Sequence, residues 1–423
     1  MTGPIDFFMP ASSPALPARA WLVVGLLWVV GCLNYIDRIM LTTMRESVVD
    51  AIPMTDAQFG LLTSVFLWIY GCLSPFAGFL ADRFSRTRII IGSLIAWSCI
   101  TWLTAHAQNF EQLLAARALM GISEAFYLPA ALALIADYHR GSTRSLATGI
   151  HMTGIFVGQG LGGLGGVIAE RHDWTTAFNL FGLAGVVYAV VLMIALRDPQ
   201  PVASGTAGRS DASAPVSRPR LGKAFSSLFR LPAFWLAFGF WGLLGMANWC
   251  VLAWMPTYLG TRFNLGQGAA GFSATGYLQI AALVGVLFGG WWADRWSRHN
   301  ERARILVPLI GMLVSAPAVF LVATTDTFSL AIAGLMIFGG TRCFADANMM
   351  PILCVVADQR YRATAYGILN FFACVIGGLS IYVGGAMRDA HVELDKVFLF
   401  AAFALAACAA LLAFLKPRPG ANE

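Results

Sequence analysis

Charge is what this chain has least of. Asp, Glu, Lys and Arg together make up 12% of its 423 residues, about half the share that a soluble domain carries. That scarcity excludes a soluble enzyme or binding module. No group of His, Cys, Asp and Glu has metal-ligand spacing, and no Gly-rich loop stands where a phosphate cradle would follow a strand. The eight Cys all lie within or at the edges of apolar runs, so they read as small packing residues and not as a disulfide framework. The modest basic excess, 28 Lys and Arg against 22 Asp and Glu, is spread over many loops and forms no nucleic-acid-binding patch. The expectation is a protein that is no enzyme and takes no metal, no cofactor and no nucleic acid.

What the chain has in quantity is apolar length. It is 58% hydrophobic with a mean hydropathy of +0.69. Cut at its polar, Pro- and Gly-containing breaks, it yields twelve runs near 20–43, 58–81, 88–106, 111–138, 144–168, 175–197, 233–260, 269–293, 304–324, 328–357, 363–387 and 395–415. Each reaches the roughly 20 apolar residues a membrane-spanning helix needs. The fold class is therefore an all-α membrane protein of twelve transmembrane helices. The first run is too long for a signal-peptide core, so the first helix is expected to be retained. Twenty of the 28 basic residues fall at the termini and in the loops after the even-numbered spans. By the positive-inside rule, both termini then face the cytoplasm of a multi-pass protein of the inner (plasma) membrane.

The chain repeats itself. Gly78–Arg88, GFLADRFSRTR, is echoed from Gly290 by GWWADRWSRHNERAR, with Asp82 and Asp294 offset by 212 residues. The fourth and tenth spans correspond too, Glu124 with Asp346 and Pro129 with Pro351, each 222 apart, and Asp137 with Asp358, 221 apart. Such a period describes two six-helix halves with a solute site between them near the midplane. The divisions are a tail (1–19), a first half (20–197), a Pro-, Ser- and Arg-rich linker (198–230), a second half (231–416) and a tail (417–423). The chain offers no signalling domain, so a non-transporting membrane sensor ranks last among the readings.

The duplicated Gly-x-x-x-Asp-Arg segment resembles the signature loop of the major facilitator superfamily, and the resemblance covers the whole chain. Gly78 and Gly290 are expected to allow close helix approach. Asp82 and Asp294, each followed by an Arg (Arg83, Arg295), can cap a helix or pair across the halves as a cytoplasmic gate. A rocker-switch transporter acting as a monomer in the bilayer is what the resemblance implies.

Charges that composition makes scarce reappear at membrane depth, where each costs several kcal/mol unless it meets a partner or a wet cavity. Asp37 and Arg38 sit in the outer part of the first span, Arg117 and Glu124 on one face of the fourth. Counted at ~1.5 Å per residue, the first pair lies roughly 24 Å from the cytoplasmic edge, with Arg117 level with it and Glu124 one to two turns deeper. The segment Asn34-Tyr35-Ile36-Asp37-Arg38, an Arg seven residues before Glu124, and the run Trp254-Met-Pro256-Thr-Tyr258-Leu resemble the anion:cation symporter branch. The spinster-like branch shares the acids of the first and fourth spans. The resemblance implies that Asp37 and Glu124 are protonation sites with Arg117 controlling them. It further implies that Arg38 binds a carboxylate, with Tyr35 and Tyr70 lining the site.

Other polar side chains add weaker candidates for solute binding: His151, Gln159, Trp254, Gln279 and Asn370. Asp346, four residues after Arg342, departs from the sugar-acid pattern. It reads as half of a self-neutralised pair, as a group that bonds substrate hydroxyls, or as a second titrating site. The expected function is proton-coupled symport of a small polar organic solute, first a sugar acid or other carboxylate, the proton being the only coupling ion. A neutral sugar or polyol permease and a lysolipid exporter are the alternatives. A lipid exporter should show an apolar lateral opening, and a sugar-acid carrier a closed polar cavity.

Overall fold

The computed structural model describes residues 18–139, 143–198, 226–356 and 362–415, and every regular element among them is helical. Twelve helices are long and apolar enough to cross a membrane. In chain order they are α1 (Ala18–Thr43), α2 (Asp56–Arg83), α3 (Arg86–Thr104), α4 (Phe110–Tyr138), α5 (Arg144–Arg171) and α6 (Trp174–Ala195). The second set is α7 (Pro232–Phe263), α8 (Gln267–Ser297), α9 (Ala303–Thr324), α10 (Phe328–Val356), α11 (Arg362–Asp389) and α12 (Leu394–Phe414). All twelve expected runs are present, with ends shifted by a few residues. Most of the tails and of the 198–230 linker, and all of Asp358, lie outside the described residues.

Local chemistry sets the boundaries. Thr55 and Gln58 form a reciprocal capping box at the start of α2, satisfying two amide donors that the helix ladder cannot. Asp173 caps α6, and its bonds from Thr175 and Thr176 hold its carboxyl below the usual range. Three features were not in the hydropathy pattern. A seven-residue helix, Arg45–Ala51, follows α1. The helix of α4 is interrupted after Glu124 and resumes at Tyr127, because Pro129 has no N–H for the carbonyl of Ala125. Helix α5 breaks at Gly162-Gly163. Lipid-facing stripes are plain: Leu180, Leu183, Val187, Val191 and Ile194 of α6 are exposed at helical spacing.

Small residues govern how the helices pack. A Cβ added to Gly285 of α8 would lie 1.9 Å from the Gly340 carbonyl of α10, and one on Gly158 of α5 would lie 2.3 Å from the Cys32 carbonyl of α1. Gly285→Val is therefore expected to cost about 3 kcal/mol or more through forced separation of the helices, read as lost monodispersity and a lower melting temperature. Gly92→Ala, with nothing within 4 Å of its new carbon, is the matched control and should melt with the parent. The close approach expected at Gly290 is not found: an added Cβ there meets only Ala347, at 3.8 Å. Its neighbour Gly289 takes that part, since a Cβ there would be 2.6 Å from the Phe344 ring. The side chains at 78 and 82 lie outside the described residues.

The two halves meet through α2 against α11 and α5 against α8. Among the described residues, the hydrogen bonds between the halves lie from the face opposite the termini to mid-membrane. Those of α2 begin at Asp56 and end at Trp68, whose indole donates to the Val375 carbonyl, about 18 Å along the helix. Beyond that depth, toward the face bearing the termini, no hydrogen bond or ion pair joins the halves among the described residues. Near that face the first half instead has a separate apolar core of its own, including Val23, Leu27, Trp97 and Leu134. Polar ties between the halves are thus confined to the face opposite the termini and the middle of the membrane.

Candidate functional site

The polar centre of the first half is assembled by α1, α2, α3 and α4. Asp37 and Arg38 are consecutive on α1 and so leave the helix about 100° apart. Asp37 turns to α3, where Thr101 donates to it at 3.1 Å. Arg38 turns to α4, where its Nε donates to Glu124 at 2.5 Å in an ion pair 4% and 0% exposed. The break in α4 directly follows Glu124. The reach of the Arg38 side chain bridges the one- to two-turn offset expected for Glu124, so the acid paired with Arg38 is Glu124 and not its neighbour Asp37.

Aromatic faces complete the setting of Arg38. Its guanidinium carbon lies 4.6 Å from the ring centre of Tyr35, 5.0 Å from Phe66 and 4.4 Å from Tyr70. Desolvated cation–π contacts of this kind contribute up to about 2 kcal/mol each. Phe66 also carries Arg117, at 4.9 Å on the same ring. Arg117 is 1% exposed and binds the Leu62 carbonyl and the Met120 sulfur, with no carboxylate within ion-pair distance among the described residues.

Four buried atoms here have no hydrogen-bond partner: Asp37 Oδ1, Arg117 Nη2, Glu124 Oε1 and Asn34 Nδ2, although Asn34 lies near Glu124. Buried polar groups are nearly always satisfied. Here four unpartnered atoms surround two acids and two bases.

In the second half, Arg342 and Asp346 of α10 pair with each other at 3.1 Å, and the Asp346 side chain remains 34% exposed. The pseudo-symmetric echo of Arg117 and Glu124 is therefore only partial, since that first-half pair is not formed. Tyr366 of α11, which the sequence reading did not single out, lies in the neighbourhood of Tyr35, Tyr70 and Asp346. Asn370 is half-buried on the same helix. Phe66 and Thr101 were also missed, being an apolar and a small hydroxyl residue in runs rich in both.

The remaining candidates are placed elsewhere. His151 is fully buried between α5 and α1, beside Tyr127 and against Gly31. Trp254 is buried at the closed face, where its indole donates to the Ile381 carbonyl. Gln159 is half-buried on α5, and Gln279 lies on the α5–α8 seam against Gly160. Gln279 is 4% exposed with its Oε1 unpartnered. It borders a cavity of about 190 Å³ lined otherwise by apolar groups, among them Phe156, Leu161, Phe272, Ile280 and Leu283. Arg83 and Arg295 are exposed. Asp294 pairs at 3.4 Å with Arg304 of its own half. Seven cysteines are free, and no group of three or more His, Cys, Asp or Glu could hold a metal among the described residues.

Comparison with known proteins follows the same lines. The sequence profile described as Major Facilitator Superfamily matches residues 27–381. An MFS-type efflux pump of Mycolicibacterium smegmatis is 27% identical over 386 residues, 89% of this chain and 86% of the relative. Protein spinster homolog 1 of Homo sapiens is 29% identical over 392 residues, 88% of this chain and 74% of the relative. Among solved structures, a bacterial homolog to the human lysosomal transporter Spinster, inward-facing and unoccupied, superposes with a TM-score of 0.73 at 21% identity. That match covers 96% of this chain and 95% of the other.

Proposed function

The chain belongs to the major facilitator superfamily, and from that premise we propose that it is a proton-coupled secondary transporter of an organic solute with an anionic head. The observation that carries the reading is the buried Arg38–Glu124 pair, ringed by Tyr35, Phe66 and Tyr70. One guanidinium there serves either an internal carboxylate or an incoming one. A solute carboxylate that takes the Arg38 fork releases Glu124, which is too buried to stay charged alone and takes up a proton. Solute and proton then occupy the site together and leave together, which is symport. Asp37, close by and incompletely bonded, carries the proton to and from Glu124, and the charged Arg117 beside them governs how readily the two acids hold it. Tyr366, Asp346 and Asn370 receive the rest of the solute from the second half.

The positive-inside distribution supports the termini lying in the cytoplasm of the plasma membrane, so the face without polar ties between the halves is the cytoplasmic one. The gate segments around Asp82–Arg83 and Asp294–Arg295 would engage when that face closes. In proteoliposomes, an imposed pH gradient should accumulate solute by about tenfold per pH unit if one proton accompanies each monoanion. Accumulation that survives a protonophore unchanged would remove the coupling.

A second reading, an amphipathic solute such as a lysolipid, is favoured by the apolar cavity at the α5–α8 seam. A thermal-shift series of carboxylates with lengthening alkyl chains separates the two. Stabilisation that peaks at the shortest members supports the small polar solute. A steady rise with chain length supports the amphiphile.

A further inference from the structure

On the closed face, each half caps a helix of the other. Asp389, at the end of α11, accepts the Asp56 and Ala57 amides of the first turn of α2 at 2.8 and 2.9 Å. Glu170, at the end of α5, accepts the Gly268 amide of the first turn of α8 at 2.7 Å. The capped positions Asp56 and Gly268 are separated by the same 212 residues as Asp82 and Asp294, and the two acids end the paired helices α5 and α11. The arrangement is therefore one device built twice by the internal repeat.

Glycines clear the way for both contacts. A Cβ on Gly266 or Gly268 would lie 2.4 or 2.5 Å from the Glu170 carboxylate, and one on Gly385 would lie 2.2 Å from the Asp56 carbonyl. Helix α8 has Gly266 as its N-cap and so no side-chain oxygen of its own; its first-turn amide depends on the opposite half. A carboxylate there also meets the positive end of the helix dipole. Two further ties run beside the caps: Asp56 pairs with Arg45 and Arg388, and Gln267 exchanges bonds with Ser47 across the halves.

We propose that Asp389 and Glu170 are paired latches that hold this face shut and release together when the halves rock open. The latch bonds are made only while the face is closed, so their loss shifts the population toward the opposite opening. The proposal rests on the alternating access of the transport reading but needs neither a solute nor a proton to be read.

The test is hydrogen–deuterium exchange of the full chain in lipid nanodiscs, for Glu170→Gln and for Asp389→Asn. A charge-assisted bond lost from the closed state should raise opening by about tenfold or more. In Glu170→Gln the amides of residues 56–60, on the unaltered latch, should exchange faster along with those of 267–271. In Asp389→Asn the same reciprocal effect should appear at 267–271, which decides the matter from the other side if the first variant fails to fold. Exchange that rises only in the helix whose cap was altered would mean two independent local caps and would overturn the proposal. Either result leaves the role of Glu124 in coupling standing.

Discussion

In proteoliposomes, the Glu124→Gln variant is expected to accumulate no solute under a pH gradient, while counterflow of labelled against unlabelled solute persists. The amide keeps the size of the side chain and an oxygen that can still accept from Arg38 Nε, so the site should keep its shape. What it loses is the ability to carry a proton. A one-proton symporter gains 1.36 kcal/mol, or a factor of about ten, for each pH unit of gradient. The variant should therefore fall from about tenfold accumulation per unit to none. Counterflow needs only that the loaded halves rock, which the change does not touch. Gradient-driven accumulation equal to that of the parent would take Glu124 out of the proton path. Asp37→Asn is the informative companion, because it leaves the Arg38–Glu124 pair in place. A defect confined to Glu124→Gln would assign the coupling proton to α4 alone.

How much of this was legible in the sequence differs by level. The twelve spans were, because about 20 apolar residues in a row have few other uses. The ionisable residues of the site were too, since a charge in such a run is conspicuous wherever the helix turns. Their partners were not. Asp37 and Arg38 are neighbours in sequence yet bond to α3 and α4 respectively, a choice made by helix rotation that hydropathy does not encode. Phe66, which seats both Arg38 and Arg117, looked like any apolar residue of α2. Trp254 looked like a solute-binding residue, but its indole is committed to the Ile381 carbonyl at the closed face. Glu170 and Asp389 lie at helix ends, where acids are ordinary, so nothing in the sequence distinguished a latch from a solvated charge.

The stability of the site yields a prediction of comparable size. Arg38→Met should destabilise the protein by about 3–5 kcal/mol, because it leaves the fully buried Glu124 carboxylate without a cation. Glu124→Gln should cost less: Arg38 keeps the faces of Tyr35, Phe66 and Tyr70, and the amide oxygen still accepts from it. The double variant Arg38→Met with Glu124→Gln removes both charges at once. It should recover most of the stability lost in Arg38→Met, since a neutral, well-filled site often matches a buried ion pair. Melting temperatures of the four proteins in one detergent measure this cycle directly. Transport should not follow stability, because the double variant has lost both the Arg38 anion site and the Glu124 carboxyl that takes the coupling proton. If Arg38→Met melts with the parent, then Arg38 does not balance Glu124, and the exchange of partners on which symport depends has no energetic basis.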